Sequence, residues 1–184
     1  MPYHLFETAF GTCAIAWNEA GLTRVQLPER TRTGTEARIR RACAEPSGMS
    51  LPAFATDAVS ALQMHLAGTA VMLDMLRLDE SLVSTFNASI YRALRAVPRG
   101  TTVTYGELAK RVGQPGAARA VGVAMGRNPW PVIVPCHRVL ARGGKMGGFS
   151  APGGTVTKER LLALEGVVAG DPLLPGLLDP RRSS

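Results

Sequence analysis

The segment Asn128-Pro-Trp-Pro-Val-Ile-Val-Pro-Cys-His-Arg-Val139 places three prolines around an apolar run that ends in Cys-His-Arg. Because proline fixes its own backbone and restricts the residue before it, this chain can hold the Cys136 thiol in one orientation. A cysteine is nucleophilic only as its thiolate, which a nearby histidine and basic surroundings favour. The residues alone leave two interpretations open: a nucleophilic Cys136, or a buried core cysteine beside a surface His137 and Arg138.

Two short helices joined by a turn are predicted on the N-terminal side of this segment. Thr104 followed by Glu107 is a capping box, which starts a helix from Tyr105 to Val112. Residues 113–116 read as a turn, and a second helix is predicted from Ala117 to Arg127. Two short helices around a glycine-containing turn form a helix-turn-helix pattern, although many helical hairpins share it.

The second of these helices carries very little side-chain bulk. Its small residues are Ala117, Ala118, Ala120, Gly122, Ala124 and Gly126. A glycine inside a helix costs about 1 kcal/mol relative to alanine, so the two glycines indicate close approach of another surface. That surface is either a neighbouring helix or a narrow groove of DNA, with Arg119 projecting from the helix in the second case.

The rest of the chain predicts an α/β (α+β) protein in two domains. Residues 1–82 read as an α/β domain with a small antiparallel sheet, residues 83–170 as a mostly helical domain, and residues 171–184 as a flexible tail. Three strands form a meander with turns at 11–12 and 18–21: Leu5–Phe10, Cys13–Trp17 and Leu22–Leu27. Helices are predicted over Thr35–Cys43, Thr56–Leu66 and Val83–Val97, and a further strand over Val71–Leu78.

Charge divides unevenly between the two predicted domains. The 184-residue chain has a net charge of +7. Residues 1–82 hold seven basic and nine acidic residues, a net of −2, whereas residues 83–184 hold fourteen and five, a net of +9. The basic half either contacts a polyanion such as nucleic acid or uses arginine to keep the protein soluble.

Composition and cysteine count restrict the class of protein. No apolar run approaches the roughly 20 residues of a membrane helix, and the start of the chain lacks the pattern of a signal peptide. We therefore expect a soluble cytoplasmic protein without a membrane partner. The three cysteines at 13, 43 and 136 form neither a disulfide framework nor a metal pair.

Together the motifs resemble the methylated-DNA–protein-cysteine methyltransferases, also called O6-alkylguanine-DNA alkyltransferases. The run from Pro135 to Val139 is similar to the active-site signature of that family. Four further stretches match its order and spacing: Thr104–Ala109, Ala118–Gly122, Asn128–Pro129 and Leu161–Gly166. The similarity extends from about residue 86 to 166, with a weaker match over residues 11–28, and it implies a ribonuclease-H-like first domain.

The resemblance implies a DNA repair protein in which each molecule acts once. Cys136 would take the alkyl group from O6 of alkylguanine, and from O4 of alkylthymine, without a metal or organic cofactor. His137 would act through a water as the base for the thiol, and Glu165 would orient His137. Asn128 would brace the active-site turn, and Tyr105 would contact the 3′ phosphate and help protonate the leaving guanine.

The resemblance also implies how DNA is bound. The partner would be double-stranded DNA containing alkylated guanine. A monomer of the protein would bind this DNA through its minor groove. Arg119 would fill the gap left by the extruded nucleotide, beside a thin helix surface and Tyr105. The small residues of that surface would be Ala117, Ala118 and Gly122. The guanine pocket would be lined by Met125, Val139, Phe149 and Ser150.

The sequence departs from the family pattern in two places, and it lacks a recognisable metal site. Many relatives have tyrosine where this chain has Phe149, and the segment Phe149–Gly154 is slightly longer than in some of them. Some relatives hold a structural zinc in the first domain. The candidate ligands here show no recognisable zinc spacing: His4, Cys13, Cys43 and His65. We therefore expect no metal, with Cys13 and Cys43 as small core residues.

Three other functions agree less well with the sequence. A non-catalytic binder of alkylated DNA, of the alkyltransferase-like type, would lack the reactive cysteine, whereas this chain has Cys136. A sequence-specific regulator would need side chains that read base edges, and the second helix offers few. A Cys-His hydrolase would not need the basic half.

Overall fold

The computed structural model describes residues 1–42, 45–46 and 50–167, and the chain forms two compact units. The first unit contains Met1–Ser84 together with Pro129–Ile133, and the second contains Thr85–Asn128 and Val134–Ser184. Cys43 and the predicted tail at 171–184 lie outside the described residues.

The first unit is built on a small sheet with strand order β3-β2-β1-β4. Its strands are β1 (Pro2–Thr8), β2 (Gly11–Asn18), β3 (Gly21–Gln26) and β4 (Glu45–Pro46). The first three pair antiparallel, which confirms the predicted meander, and β4 adds a short parallel edge beside β1. The first turn lies at residues 9–10 rather than 11–12, because the Thr8 hydroxyl donates to the Gly11 carbonyl and accepts from the Phe10 N–H.

Two helices accompany this sheet, α1 (Arg32–Arg40) and α2 (Ala53–Leu66). Helix α1 begins earlier than predicted because the Thr31 side chain accepts from the Gly34 N–H and caps it. One cluster of core residues joins sheet and helix: Tyr3, Ala14, Ala16 and Ile39. The predicted strand over Val71–Leu78 is wrong. Only Leu78 forms an isolated bridge, and the Leu76 N–H donates to the Leu73 carbonyl in a turn.

The second unit is mostly helical, and with the first it confirms a mixed α/β protein. Its helices are α3 (Thr85–Arg95), α4 (Tyr105–Arg111), α5 (Ala118–Gly126) and α6 (Gly154–Leu164). Two short parallel strands, β5 (Val103–Thr104) and β6 (Val139–Leu140), lie between them in sequence. Helix α3 buries Ala88, Ile90, Tyr91 and Leu94 and is shorter than predicted at both ends.

Neither a membrane helix nor a metal cluster is found in the described ranges. No helix among residues 1–42 and 50–167 is both long and apolar enough to cross a bilayer. Over the same residues, no three His, Cys, Asp or Glu side chains come together as a group that could hold a metal ion.

Candidate active site

The chain around Cys136 is a buried, tightly hydrogen-bonded turn. Every residue from Val134 to Leu140 is buried. The Cys136 N–H donates to the Val134 carbonyl at 2.8 Å, and the Arg138 N–H donates to the Pro135 carbonyl at 2.8 Å. The Asn128 side-chain amide also donates to the Val134 carbonyl, at 2.9 Å. This turn therefore leaves the thiol little freedom to change direction.

Opposing effects act on the ionisation of Cys136. Burial raises the pKa of its thiol, because a thiolate is poorly solvated in the interior. The side chain of Asn128, the charge of Lys158 and the N–H groups of Cys136 and His137 lower that pKa. The site thus holds the hydrogen-bond donors and the positive charge that a thiolate needs, within a surrounding that otherwise favours the neutral thiol.

His137, Arg138 and Glu165 form a buried ionic cluster. Nε2 of His137 lies 2.9 Å from Oε1 of Glu165. Arg138 holds the same carboxylate with two hydrogen bonds, from Nε to Oε2 and from Nη2 to Oε1, each 2.8 Å long. Arg138 also donates from Nη1 to the Val97 carbonyl at 2.5 Å. Glu165 follows directly after α6 as its C-cap residue, so the end of that helix positions the carboxylate.

Lys158 of α6 is a second buried cation near Cys136. Its side chain has no exposed surface, and its Nζ donates to the Val139 carbonyl at 2.6 Å. Burial lowers the pKa of Lys158 to about 8, while a negative charge on Cys136 would raise it.

A cavity of about 430 Å³ opens onto Cys136. It is lined by Tyr105, Gly122, Met125, Gly126, Cys136, Gly148, Phe149 and Ser150. Three of the four expected pocket residues are therefore in its wall. Val139 is not among the lining residues: it is fully buried, and β6 pairs it with Val103.

Tyr105 stands where two cavities meet. It lines the cavity at Cys136 and a neighbouring one of about 810 Å³ along α4 and α5. Burial raises the pKa of its phenol, and a charge on Cys136 raises it further. Gly122 lines both cavities as well, and a Cβ built at this position would lie 4.0 Å from the Tyr105 ring.

Helices α4 and α5 pack against one another and differ in how they begin. The predicted capping box is confirmed: Thr104 accepts from the Glu107 N–H at 3.2 Å, and Glu107 accepts from the Thr104 N–H at 2.7 Å. Helix α5 has no side-chain cap at Ala117, and Arg119 on its first turn is exposed.

The structure thus places the predicted residues in three groups of the second unit. Cys136 and Tyr105 line the smaller cavity, Asn128 is hydrogen-bonded to the turn that holds Cys136, and His137 and Glu165 are joined in the ionic cluster. Ala118 lines the larger cavity with Gly122, whereas Arg119 is on the exposed surface of α5. Ala117 is the residue at which α5 begins.

The sequence did not indicate a role for two residues of the site, Arg138 and Lys158. Arg138 was noted in the motif without a partner, because its pairing with Glu165 spans 27 residues of sequence. Lys158 lies three and four positions before Leu161 and Leu162, the spacing of one helix face, and all three are buried. That spacing was the available signal that Lys158 faces the interior.

The chain is similar to known methylated-DNA–protein-cysteine methyltransferases over most of its length. Residues 85–167 match the family model described as "6-O-methylguanine DNA methyltransferase, DNA binding domain". A methylated-DNA–protein-cysteine methyltransferase from Methanosarcina acetivorans is 36% identical over 166 residues, covering 90% of this chain and 99% of the relative. One of the same name from Mycolicibacterium paratuberculosis is 38% identical over 169 residues, covering 90% and 92%.

Solved structures show the same similarity. The crystal structure of Mycobacterium tuberculosis OGT in complex with DNA aligns with a TM-score of 0.70 and 33% identity, covering 90% of this chain and 93% of the other. The crystal structure of Mycobacterium tuberculosis O6-methylguanine methyltransferase also gives a TM-score of 0.70, with 34% identity and coverage of 92% and 95%.

Proposed function

Because the chain belongs to the methylated-DNA–protein-cysteine methyltransferase family, its function is DNA repair by alkyl transfer to a cysteine, and we propose that Cys136 is the acceptor. The observation that carries this proposal is that Cys136 lines the 430 Å³ cavity together with Tyr105 and Phe149.

The other described cysteine, Cys13, is buried in the first unit, and its pKa is raised to about 12, mainly by burial. Burial raises the pKa of both thiols, but only the side chain of Thr8 lowers that of Cys13, whereas Asn128, Lys158 and two N–H groups lower that of Cys136. Cys13 is therefore the poorer nucleophile.

The proposed reaction is a single displacement at the alkyl carbon. The Cys136 thiol loses its proton through a water to His137, and the thiolate attacks the carbon attached to O6 of guanine. A sulfur–carbon bond forms while the carbon–O6 bond breaks, and the electron pair of that bond stays on guanine. A proton from the Tyr105 hydroxyl, replaced from solvent, neutralises the guanine. The thioether on Cys136 is not cleaved, so each molecule acts once.

The ionic cluster supports His137 as the base. When Nε2–H of His137 donates to Glu165, the other ring nitrogen carries the lone pair that accepts a proton. Glu165 then stabilises the imidazolium that forms, in the way a carboxylate supports the histidine of a catalytic triad. Arg138 acts as a positioning residue, because its two hydrogen bonds fix both oxygens of that carboxylate.

The surface of α4 and α5 is the proposed DNA-binding helix-turn-helix. A minor groove is only about 6 Å wide, and the small residues at Ala117, Ala118 and Gly122 suit close approach of α5 to its floor. Chemistry on a base requires extrusion of its nucleotide from the duplex. The exposure of Arg119 on the first turn of α5 supports its proposed role of filling the gap. Lys110 and Arg142 line the 810 Å³ cavity, where their charges can contact phosphates.

The proposed substrates are O6-alkylguanine and O4-alkylthymine in double-stranded DNA. Phe149 supplies an aromatic wall for the extruded base, and Met125 and Ser150 line the same cavity. Phe149 can stack on a base but lacks the hydroxyl that a tyrosine would bring. All the proposed reactive residues belong to the second unit of one chain, which supports action as a monomer.

A titration against excess substrate tests this proposal. Increasing amounts of a duplex containing O6-methylguanine are mixed with a fixed amount of protein, and repaired lesions are counted at completion. We expect one repaired lesion for each protein molecule, with no further repair. Repair of many lesions per molecule would contradict the single displacement, and binding without any repair would point to the non-catalytic lesion binder.

A further inference from the structure

Lys158 carries a buried charge that the proposed reaction has not yet used. Removing an ammonium group from water is costly unless the protein supplies compensating partners. The partners of Lys158 among the described residues are two carbonyl oxygens, of Val139 at 2.6 Å and of Gly147 at 3.4 Å. Neither carries a full negative charge. Arg138 differs, because the carboxylate of Glu165 neutralises it directly.

The two carbonyls that accept from Lys158 belong to two segments, the chain after the Cys136 turn and the loop beside the cavity. Val139 follows the Cys136–Arg138 turn in sequence, whereas Gly147 lies two residues before Phe149 of the cavity. A Cβ built at Gly147 would lie 2.7 Å from the Tyr105 hydroxyl oxygen, so this glycine packs closely against Tyr105. Lys158 therefore connects the strand after the nucleophile to the loop that supports Tyr105 and Phe149.

The charge of Lys158 also acts on Cys136. The ammonium lowers the pKa of the thiol, and a thiolate at Cys136 raises the pKa of Lys158. Hydrogen bonds from the Asn128 side chain and from the N–H groups of Cys136 and His137 also lower the pKa of the thiol. The phenols of Tyr91 in α3 and Tyr105 in α4 lie within electrostatic reach of Cys136 and are neutral at pH 7, and the charge of Arg127 acts on Tyr91. Arg138 is paired with Glu165, and among the described residues Lys158 is the cation whose charge lowers the pKa of the Cys136 thiol.

We propose that Lys158 is a positioning residue for the alkyl transfer, which holds the reactive turn against the pocket loop and offers its ammonium to the Cys136 thiolate. This inference rests on the proposed function of Cys136. The charge is present at neutral pH, because the pKa of Lys158 is about 8, and it is lost as the pH rises above that value. The two titrations are coupled, so they are measured as properties of the pair.

The test measures how Cys136 ionises, independently of repair. Iodoacetamide reacts with thiolates, and its rate of reaction at Cys136, followed by peptide mass, is recorded from pH 5 to 10 for the full chain. The variants are Lys158→Met, which removes the charge and the donor, Lys158→Gln, which keeps an N–H donor, and Lys158→Arg, which keeps the charge. Lys145→Met is the matched control, because it removes an exposed lysine from the loop between Cys136 and Lys158.

We expect the midpoint of the pH profile to rise in Lys158→Met and Lys158→Gln and to stay near the wild-type value in Lys158→Arg and Lys145→Met. A rise of one pH unit makes the reaction roughly tenfold slower below the midpoint. An unchanged midpoint in folded Lys158→Gln would overturn the electrostatic role, as would equal shifts in the Gln and Arg variants. If Lys158→Met does not fold, the Gln and Arg variants decide the question.

Single-turnover transfer from O6-methylguanine, supplied as the free base, completes the test. The rate should fall in Lys158→Gln in proportion to the loss of thiolate, without a matching loss of affinity for the base. A normal transfer rate in that variant, at a pH where its iodoacetamide reaction is slowed, would overturn the proposal. Failure of the wild-type protein to accept methyl at all would instead contradict the proposed function, whatever the iodoacetamide profile.

Discussion

Helix α5 and the turn at Cys136 are ten residues apart in sequence and opposite in character. The helix exposes Arg119, Ala120 and Val123, has no side-chain cap and contains two glycines. The segment Val134–Leu140 is buried throughout, and backbone hydrogen bonds and charged side chains fix it from several sides. The proposed DNA contact is thus made by a thin, exposed surface, and the proposed chemistry by a rigid interior.

This difference predicts that binding and transfer can be separated by mutation. Residues of the interior should change the rate of transfer while leaving affinity for DNA intact. Residues of the exposed surface should change affinity or the handling of duplex DNA, while leaving the reaction with a free base intact.

The largest expected effect is that of Cys136→Ala. Transfer should be abolished, because no other described thiol opens onto the cavity. Affinity for duplex DNA, measured by fluorescence anisotropy, should be nearly unchanged, because the proposed DNA contacts lie on α4 and α5 and not on the buried turn that holds Cys136. A large loss of affinity would show that the buried turn takes part in DNA binding. It would contradict the prediction that binding and transfer can be separated by mutation.

His137→Ala should have the next largest effect. Loss of a general base typically slows a reaction about 10² to 10⁴-fold, and single-turnover rates measured across pH should show this at constant DNA affinity. An unchanged rate and an unchanged pH profile would remove His137 from the reaction.

Glu165→Gln should slow transfer as well, with an additional cost to folding. The substitution leaves Arg138 buried without its carboxylate, and removing one partner of a buried ion pair costs about 3 to 5 kcal/mol. Thermal unfolding should therefore show a lower midpoint for Glu165→Gln than for His137→Ala. Equal midpoints would mean that the ion pair contributes little to stability.

Arg119→Ala should slow repair of duplex substrates and leave transfer from the free base unchanged. If Arg119 fills the gap left by the extruded nucleotide, repair of duplex DNA should fall roughly ten- to a hundredfold, since an open gap costs a few kcal/mol. Transfer from the free base should be normal, and Arg119→Lys should restore little if the shape of the side chain matters. Equal losses on both substrates would instead give Arg119 a role in the fold or the pocket.

The smallest expected effect is that of Arg142→Ala, which tests charge alone. One lost phosphate contact should reduce the slope of log affinity against log salt by about 0.9, with a modest loss of affinity at physiological salt. Arg40→Ala, which removes an exposed arginine of α1 in the first unit, is the charge-matched control. Identical slopes for both variants would show that Arg142 makes no phosphate contact.

The sequence predicted local structure well where a few adjacent residues determine it. The capping box at Thr104 and Glu107 follows from their spacing alone, and the meander follows from short apolar runs. The prediction of a strand over Val71–Leu78 was wrong. The apolar residues of this segment suggested a strand, but its backbone hydrogen bonds form a turn and leave one isolated bridge.

For the candidate site, the resemblance indicated the contact between His137 and Glu165, which the structure contains, but not the other contacts around it. The resemblance indicated Cys136, His137 and Glu165, whereas the two-pronged contact of Arg138 with Glu165 depends on where α6 ends. Lys158 was missed because a lysine is ordinarily exposed, and only tertiary packing shows which carbonyls receive its ammonium. Val139 was also expected in the pocket; it is fully buried and paired with Val103, and the cavity lining does not include it.

Peptide mass mapping after reaction with a duplex containing O6-methylguanine tests the central claim most directly. The wild-type protein should gain one methyl group per molecule, on the peptide that contains Cys136, while the peptides of Cys13 and Cys43 keep their original masses. Methyl on either of those cysteines, or complete removal of the lesion with no change in the mass of the protein, would contradict the assignment of Cys136 as the acceptor.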